Sequence, residues 1–334
     1  MRYLILILIA FLLFFSKKYN DKKMLYLSAI ILIFYSAFRA YIPGATVGND
    51  YNNYRIWYND MSFASVFTIN NFLFNVLFYT IKVVFNNYDV FIFISSFFLI
   101  CSVYYFSIKL TEDDRYALAV FVFLSFGIYD LSMSAIRQWI AGSIFLISLK
   151  QLKDKNLKNY IILIIIAALF HNSAIILLLV YPAINCELEY KKKLFLELII
   201  TILIYLGLYF KLDIYMISLI DKTYLLKYLN TKDGALYANY TVFIISTFCF
   251  LLMIIQNKTY KEKIKNYHFD FNYIVLLIIA SLLATKSALA CRFQQYFMPA
   301  LMLVIPGIIK TFDGILKKII YVAAILFLLL IYIL

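Results

Sequence analysis

An all-α, polytopic bundle of transmembrane helices is the fold class that the sequence predicts, and three observations carry it. The 334 residues are 65% hydrophobic and only 15% charged, against about 45–50% and about 25% in a soluble domain. Apolar stretches of near-spanning length recur along the whole chain, and mean hydropathy is +0.87. The lysines behind the +13 net charge gather in short runs between those stretches: Lys17–Lys18, Lys22–Lys23, Lys150–Lys158, Lys191–Lys193, Lys258–Lys265 and Lys310–Lys318. No water-soluble fold of this length could hide so much apolar surface. The positive-inside rule places such lysine runs in cytoplasmic loops, so the charge reports topology and no nucleic-acid partner is expected.

A crossing helix needs about 20 mostly apolar residues, within roughly 17–25. In chain order the candidates are 2–15, 24–42, 69–85, 89–108, 116–131, 134–149, 159–182, 194–210, 241–256, 271–290, 293–309 and 319–334. They amount to about 10–12 spans in a single integral membrane domain, 1–334. Residues 2–15 resemble the core of a signal peptide, but Ser16-Lys17-Lys18 offers no small-residue cleavage site, so a retained first span is expected. The polar stretches 43–68 and 211–240, rich in Tyr, Asn and Asp, read as external loops or interfacial helices. Most of the 30 Tyr and 32 Phe are expected as lipid-facing or interfacial rings. Cys101, Cys186, Cys249 and Cys291 show no CxxC and no metal-ligand spacing, so neither a disulfide nor a metal is expected.

Two topologies compete. With Lys17–Lys23 cytoplasmic, twelve straight crossings place every later lysine run inside except 150–158, and place Glu112-Asp113-Asp114 outside. The violation disappears if 116–136 enters from outside and returns, and 159–185 enters from inside and returns. The re-entrant tips would then carry Gly127, Asp130 and Ser132, and His171. Non-helical backbone at membrane depth is tolerated where it is buried in protein or lines a wet cavity, so those tips also mark where a site would lie.

Polar residues inside such a chain need a reason, because a central Arg costs on the order of 3 kcal/mol to insert. Only six of the basic residues are Arg, against 25 Lys. Arg137 heads an apolar helix in Asp130-Leu-Ser-Met-Ser-Ala-Ile-Arg-Gln-Trp, and Arg292 lies in Cys291-Arg-Phe-Gln-Gln-Tyr-Phe between two spans. A guanidinium binds phosphate oxygens as a bidentate fork; the plainer reading is a snorkelling or paired Arg. His171, in Phe170-His-Asn-Ser173, interrupts a very apolar stretch and is either a proton carrier or a hydrogen-bonded packing residue. Gly44-Ala-Thr-Val-Gly-Asn-Asp-Tyr-Asn-Asn-Tyr54 could hold a sugar through its rings and Asp50, or be an ordinary interfacial loop. The chain has no GxGxxG, GxxxxGK[ST] or HExxH and no DxD pair suited to a metal-nucleotide sugar, which disfavours nucleotide-fuelled or zinc chemistry.

The order Gly48-Asn-Asp50-Tyr51…Tyr54, Ser132-Met-Ser-Ala-Ile-Arg137-Gln138, Phe170-His171-Asn-Ser173 and Arg292…Tyr296-Phe297 resembles the EpsG family of Wzy-like polymerases of bacterial exopolysaccharide, capsule or O-antigen. Asn172 departs from the pattern, where Pro is the commoner expectation. The resemblance implies a GT-C-like helical fold and a metal-independent glycosyl transfer without a cofactor, at the outer face of the bacterial cytoplasmic membrane. A polyprenyl-diphosphate-linked oligosaccharide would be both donor and acceptor, in contact with membrane lipid, and a chain-length regulator is a further partner of such enzymes. By the same resemblance Arg137 and Arg292 would stabilise the leaving diphosphate and His171 or Asp50 would act as base. Tyr51, Tyr54, Gln138, Ser173 and Tyr296 would bind substrate. A lipid-linked oligosaccharide flippase or other transporter, a membrane O-acyltransferase and a glycan ligase are the rival readings.

Overall fold

The computed structural model describes residues 2–323 apart from 20, 44, 46, 49, 68–70, 112–114, 186–198, 200, 208–233 and 316. Every regular element among the described residues is helical, as lipid demands of a chain whose backbone polar groups must be satisfied internally. The chain divides into two compact units, residues 1–181 with 305–334, and residues 182–304. The expected loop 211–240 lies mostly outside the described residues, as does Cys186.

The first unit begins with α1 (Arg2–Tyr19) and α2 (Lys22–Ala37), followed by a 3-10 turn, Arg39–Tyr41. Three short helices come next: α3 (Tyr51–Asp60), α4 (Phe63–Val66) and α5 (Phe72–Phe85). The long α6 (Tyr88–Leu110) precedes α7 (Tyr116–Ser125), α8 (Ile128–Ser134) and α9 (Ile136–Lys153). Then come α10 (Leu157–Phe170), a second 3-10 segment (Asn172–Leu179) and α11 (Val180–Asn185). Among the described residues of this unit, α6 is by length and apolarity the one helix that could cross a membrane, and α7 with α8 could do so as a bent pair.

Three serine–tyrosine hydrogen bonds fix which helix ends lie together. Ser16 pairs with Tyr116 at 3.2 Å, Ser28 with Tyr104 at 2.8 Å and Ser36 with Tyr129 at 2.8 Å. On α2, Ser28 meets Tyr104 and Phe34 lies 6.0 Å from Phe93, so α6 runs antiparallel to it. Tyr88, at the start of α6, donates to the Tyr51 carbonyl at 3.0 Å, and Tyr41 donates to Asp89 at 2.6 Å. One end of the unit therefore gathers Arg39, Tyr51, Tyr88 and Tyr129, and will be called the loop end. The other gathers Lys17, Arg115, Lys310 and Lys317, and is the lysine end.

This arrangement corrects the sequence-based topology at two places. Residues 116–136 do not return to the side they came from. Tyr116 sits at the lysine end and Tyr129 at the loop end, so α7 and α8 form one crossing, bent by 58°. The bend is at Gly127, whose φ of +68° only glycine adopts without cost. The stretch 69–85 is the one that fails to cross. Lys82 donates to the Asn59 and Met61 carbonyls at 2.5 and 2.8 Å, and Asn75 donates to the Ser65 carbonyl at 3.3 Å. Hence α3, α4 and α5 fold on one another at the loop end. Glu112-Asp113-Asp114, expected outside, lie outside the described residues, while their neighbour Arg115 is at the lysine end.

The second expected reversal is present. Tyr160 on α10 donates to the Leu177 carbonyl at 2.6 Å, and Tyr181 donates to the Lys155 carbonyl at 2.8 Å. A straight helix would separate 155 from 181 by about 39 Å. The chain instead doubles back at His171, which leaves helical geometry with φ −152° and ψ 111°. Helix α9 starts at the loop end and, at about 1.5 Å per residue, carries its last turn towards the lysine end. The hairpin thus rises from the lysine end and returns to it.

The second unit contains α12 (Gly234–Ile255), the short α13 (Asn257–Lys263), α14 (Tyr267–Ala284) and α15 (Ala288–Phe297). The last helix, α16 (Ala300–Thr311), runs from this unit into the first. Helix α14 is apolar and long enough to cross a membrane. It packs on α12 and α15, tied by Asn239 to the Ala284 carbonyl at 3.0 Å and by Gln294 to Ser281 at 3.1 Å.

The hairpin makes a testable statement. A cysteine at Asn172 should react with a membrane-impermeant maleimide from the same side as one at Asn53, and a cysteine at Lys155 from the opposite side only. Labelling of Asn172→Cys and Lys155→Cys from one common side would contradict the fold.

Candidate functional site

The site forms where the backbone breaks between α8 and α9. Ala135 leaves helical geometry there, with φ −93° and ψ 60°. The Met133 carbonyl beside the break accepts a hydrogen bond from an Arg39 Nη at 3.4 Å. The same guanidinium donates through Nε to the Val47 carbonyl at 2.8 Å and through its other Nη to the Ser36 carbonyl at 2.6 Å. Arg39 is only 2% exposed, a burial tolerated because carbonyls of three separate segments match its donors. The Tyr51 ring lies 5.4 Å from its Cζ.

Gly48 completes the junction. Its φ is +94°, and a Cβ built there would stand 2.4 Å from the Met133 oxygen. Only a residue without a side chain lets this loop lie flat against the break. Tyr51, Tyr54 and Tyr58 recur at three- and four-residue spacing and make the buried face of α3. They pack with Phe74, Phe78, Tyr88, Phe91, Ile136 and Ile140 in one apolar cluster.

Arg137, in the first turn of α9, emerges from that cluster into an aromatic enclosure. Its Cζ lies 4.7 Å from the Trp57 ring, 5.6 Å from Phe74 and 5.9 Å from Tyr54. Its backbone N–H, which a helix start leaves without an intrahelical partner, donates to the Tyr54 hydroxyl at 3.3 Å. Burial raises the Tyr54 phenol above its ordinary pKa, and the Arg137 charge only partly opposes this. Tyr54 therefore stays a neutral scaffold group. Arg137 forms no salt bridge among the described residues, and its Nε is buried without a hydrogen-bond acceptor. Rings cover the faces of a guanidinium and not its in-plane N–H edge, although the Tyr54 hydroxyl also lies within side-chain hydrogen-bonding reach of it.

Those donors border a cavity of about 400 Å³. Trp57, Phe74 and Phe78 give it apolar walls, Arg137 its cation and Asp60 its carboxylate; Ser65, Asn71 and Asn75 add neutral polar groups. The hairpin tip reaches its edge. Asn71 and Asn172 each donate a backbone N–H to the other's side-chain oxygen at 3.4 Å. Asn71 adopts a left-handed φ of 61° to do so, a conformation Asn tolerates. Phe170 packs on the same apolar cluster, so His171 stands between two residues anchored to the site.

The residues singled out from sequence are thus distributed unevenly. Arg137 lines the cavity, and His171 and Ser173 flank its edge through Asn172. Tyr51 and Tyr54 are buried under the site, against Arg39 and Arg137, and Gln138 is buried on α9; none of the three lines the cavity. Asp50 sits at the start of α3 without capping it, near enough to Tyr54 to act on its charge. Arg292 is exposed on α15 in the second unit, and Tyr296 beside it is buried, its carbonyl accepting from Tyr273 at 3.0 Å. Sequence reasoning missed Asp60 as a lining residue and Arg39 as the organiser. For Arg39 a signal existed: it ends an apolar span just as Arg137 begins one.

Replacing Gly48 by Ala should force the loop away from Met133 and cost about 1–3 kcal/mol. Thermal unfolding of the purified variant would fall accordingly, and an unchanged midpoint would show that the loop is not docked.

Comparison with curated proteins and with solved structures returned no match. A family model does match, over residues 44–334. The matched span runs from the loop that Arg39 holds to the end of the chain and includes residues of both units, with α1 and α2 outside it. Its family ties the chain to polysaccharide biosynthesis and, with the apolar helices, to the multi-pass membrane proteins. This chain belongs to the EpsG family.

Proposed function

We propose that the chain is a glycan polymerase that transfers a polyprenyl-diphosphate-linked glycan onto a sugar hydroxyl of a second lipid-linked repeat unit. The observation that carries this reading is Arg137, a guanidinium with no salt-bridge partner among the described residues, held by rings at a polar cavity. The cavity is at the loop end, opposite the lysines. By the positive-inside rule the lysine end is cytoplasmic, which directs the cavity to the outer face of a bacterial cytoplasmic membrane.

The chemistry follows from what transfer requires. The bond between the donor's anomeric carbon and its diphosphate oxygen breaks, and a bond from that carbon to the acceptor oxygen forms. Negative charge develops on the departing lipid diphosphate, and a preorganised cation facing it is the largest catalytic term available. Arg137 supplies that cation from inside the protein, so the proposed transfer is metal-independent. The acceptor hydroxyl loses its proton, for which His171 at the hairpin tip is the proposed base. Asp60 orients that hydroxyl within the cavity, and Trp57 offers an apolar face to a sugar ring. Arg292, on the second unit, is proposed by the family resemblance alone as a phosphate-binding residue, and a chain-length regulator is the proposed protein partner.

In cells relying on the variant chain, Arg137→Ala should reduce polymerisation about 100–1000-fold, with membrane abundance unchanged and single repeat units retained. Arg137→Lys should recover part of the loss, since it restores charge without the fork. Sizing the surface glycan by gel reads both. Normal-length glycan from Arg137→Ala would remove this residue from the mechanism. A complete absence of glycan would indicate a flippase, and normal length without acetyl groups an acyltransferase.

A further inference from the structure

Two asparagines fasten the hairpin tip to the cavity by capping each other's segments. Asn71 occupies the N-cap position of α5, where an Asn side chain ordinarily accepts from an N–H of the helix's own first turn. It makes no such bond. Its side-chain oxygen accepts instead from the Asn172 N–H at 3.4 Å, and the Asn172 side-chain oxygen accepts from the Asn71 N–H at 3.4 Å. Asn172 is the first residue of the 3-10 segment Asn172–Leu179, whose opening N–H groups, like those of any helix start, need acceptors from outside it. Asn71 also holds a left-handed φ of 61°, a conformation costly for most side chains. A local capping role has been given up for a contact between α5 and the hairpin.

We propose that Asn71 is a positioning residue for the transfer: by capping Asn172 it sets where His171 stands at the cavity. The role rests on the polymerase reading, with His171 as its base. His171 is the residue at which α10 ends and the 3-10 segment begins. Its N–H donates to the Ala167 carbonyl at 2.9 Å, and its carbonyl accepts from the Ala174 N–H at 2.9 Å. Its backbone therefore moves with the tip as one piece. On one side of it Phe170 packs on the apolar cluster. On the other Asn172 is clasped by Asn71, one of the residues that line the cavity. Both bonds of the clasp are long and exposed, so they add little to stability, and what they supply is placement. A general base must stand within hydrogen-bond reach of the proton it takes, and a displacement of about 1 Å can cost on the order of 100-fold in rate.

Asn71→Gly tests this, because glycine accepts the left-handed φ while the side-chain oxygen is lost. Purified full-length protein in detergent is supplied with lipid-linked single repeat units extracted from cells carrying Arg137→Ala, and chain growth is followed by gel. In Asn71→Gly, kcat should fall about 10–100-fold with KM unchanged, and Asn71→Asp should recover part of the loss through its retained oxygen. In a His171→Gln background, Asn71→Gly should add little further loss, as expected of residues that act as a unit. Asn172→Ala, which removes the other half of the clasp, replaces Asn71→Gly if that variant does not fold. By hydrogen–deuterium exchange, peptides covering 170–176 should exchange faster in Asn71→Gly than in the native chain. Unchanged exchange there would overturn the clasp. Full kcat in Asn71→Gly, a raised KM with kcat kept, or the same fold-loss in the native and His171→Gln backgrounds would overturn the positioning role. Full kcat in His171→Gln would overturn the base and this role with it, and a native chain that forms no polymer would overturn the polymerase reading. The exchange result separates both of these failures from failure of the clasp.

Discussion

Burying a guanidinium at the edge of a membrane bundle is costly unless its nitrogens find acceptors, and each of the three Arg39 nitrogens donates to a carbonyl. Its three partners are the carbonyls of Ser36, Val47 and Met133, which belong to the end of α2, the following loop and the α8–α9 break. All three segments must converge for the charge to be matched. That convergence forces Gly48 against Met133, lays the tyrosine face of α3 on the cluster and brings Trp57 over Arg137. The cation at the cavity is therefore positioned by a second cation that never reaches the cavity.

The two arginines divide the work by what surrounds them. Arg39 is held by one carbonyl at each of its three nitrogens. Arg137 is held by rings, which stabilise the charge by about 0.5–2 kcal/mol yet leave its donors for an incoming anion. A salt bridge would have occupied those donors, and a hydrated surface would have weakened them.

Much of this was legible in the sequence, for identifiable reasons. Helicity and membrane residence follow from composition, because lipid leaves an apolar chain no other regular structure. The reversal at His171 was legible because four lysines in 150–158 demanded it. The route by which Arg137 reaches the loop end was not. Hydropathy reads 69–85 as a span, since α5 is as apolar as any crossing helix; only Lys82 and Asn75, bonded back to carbonyls of 59, 61 and 65, reveal that it stays at one end. With that segment misplaced, 116–136 was given the reversal that belongs earlier. Among site residues, charge stood out in an apolar chain and identified Arg137. Tyr51 and Tyr54 looked like sugar-binding rings because burial of one helix face cannot be told from display of it without the partner surface.

The central claim is that Arg39 joins loop and break into one unit that presents Arg137. Hydrogen–deuterium exchange of the full-length protein in detergent tests it most directly, by comparing the native chain with Arg39→Gln. The account predicts that the variant exchanges faster in peptides covering both 47–58 and 133–140, while the hairpin around Tyr160 and Tyr181 keeps its protection. Unchanged exchange in either of the first two segments would mean that Arg39 does not hold them together, and would contradict the account.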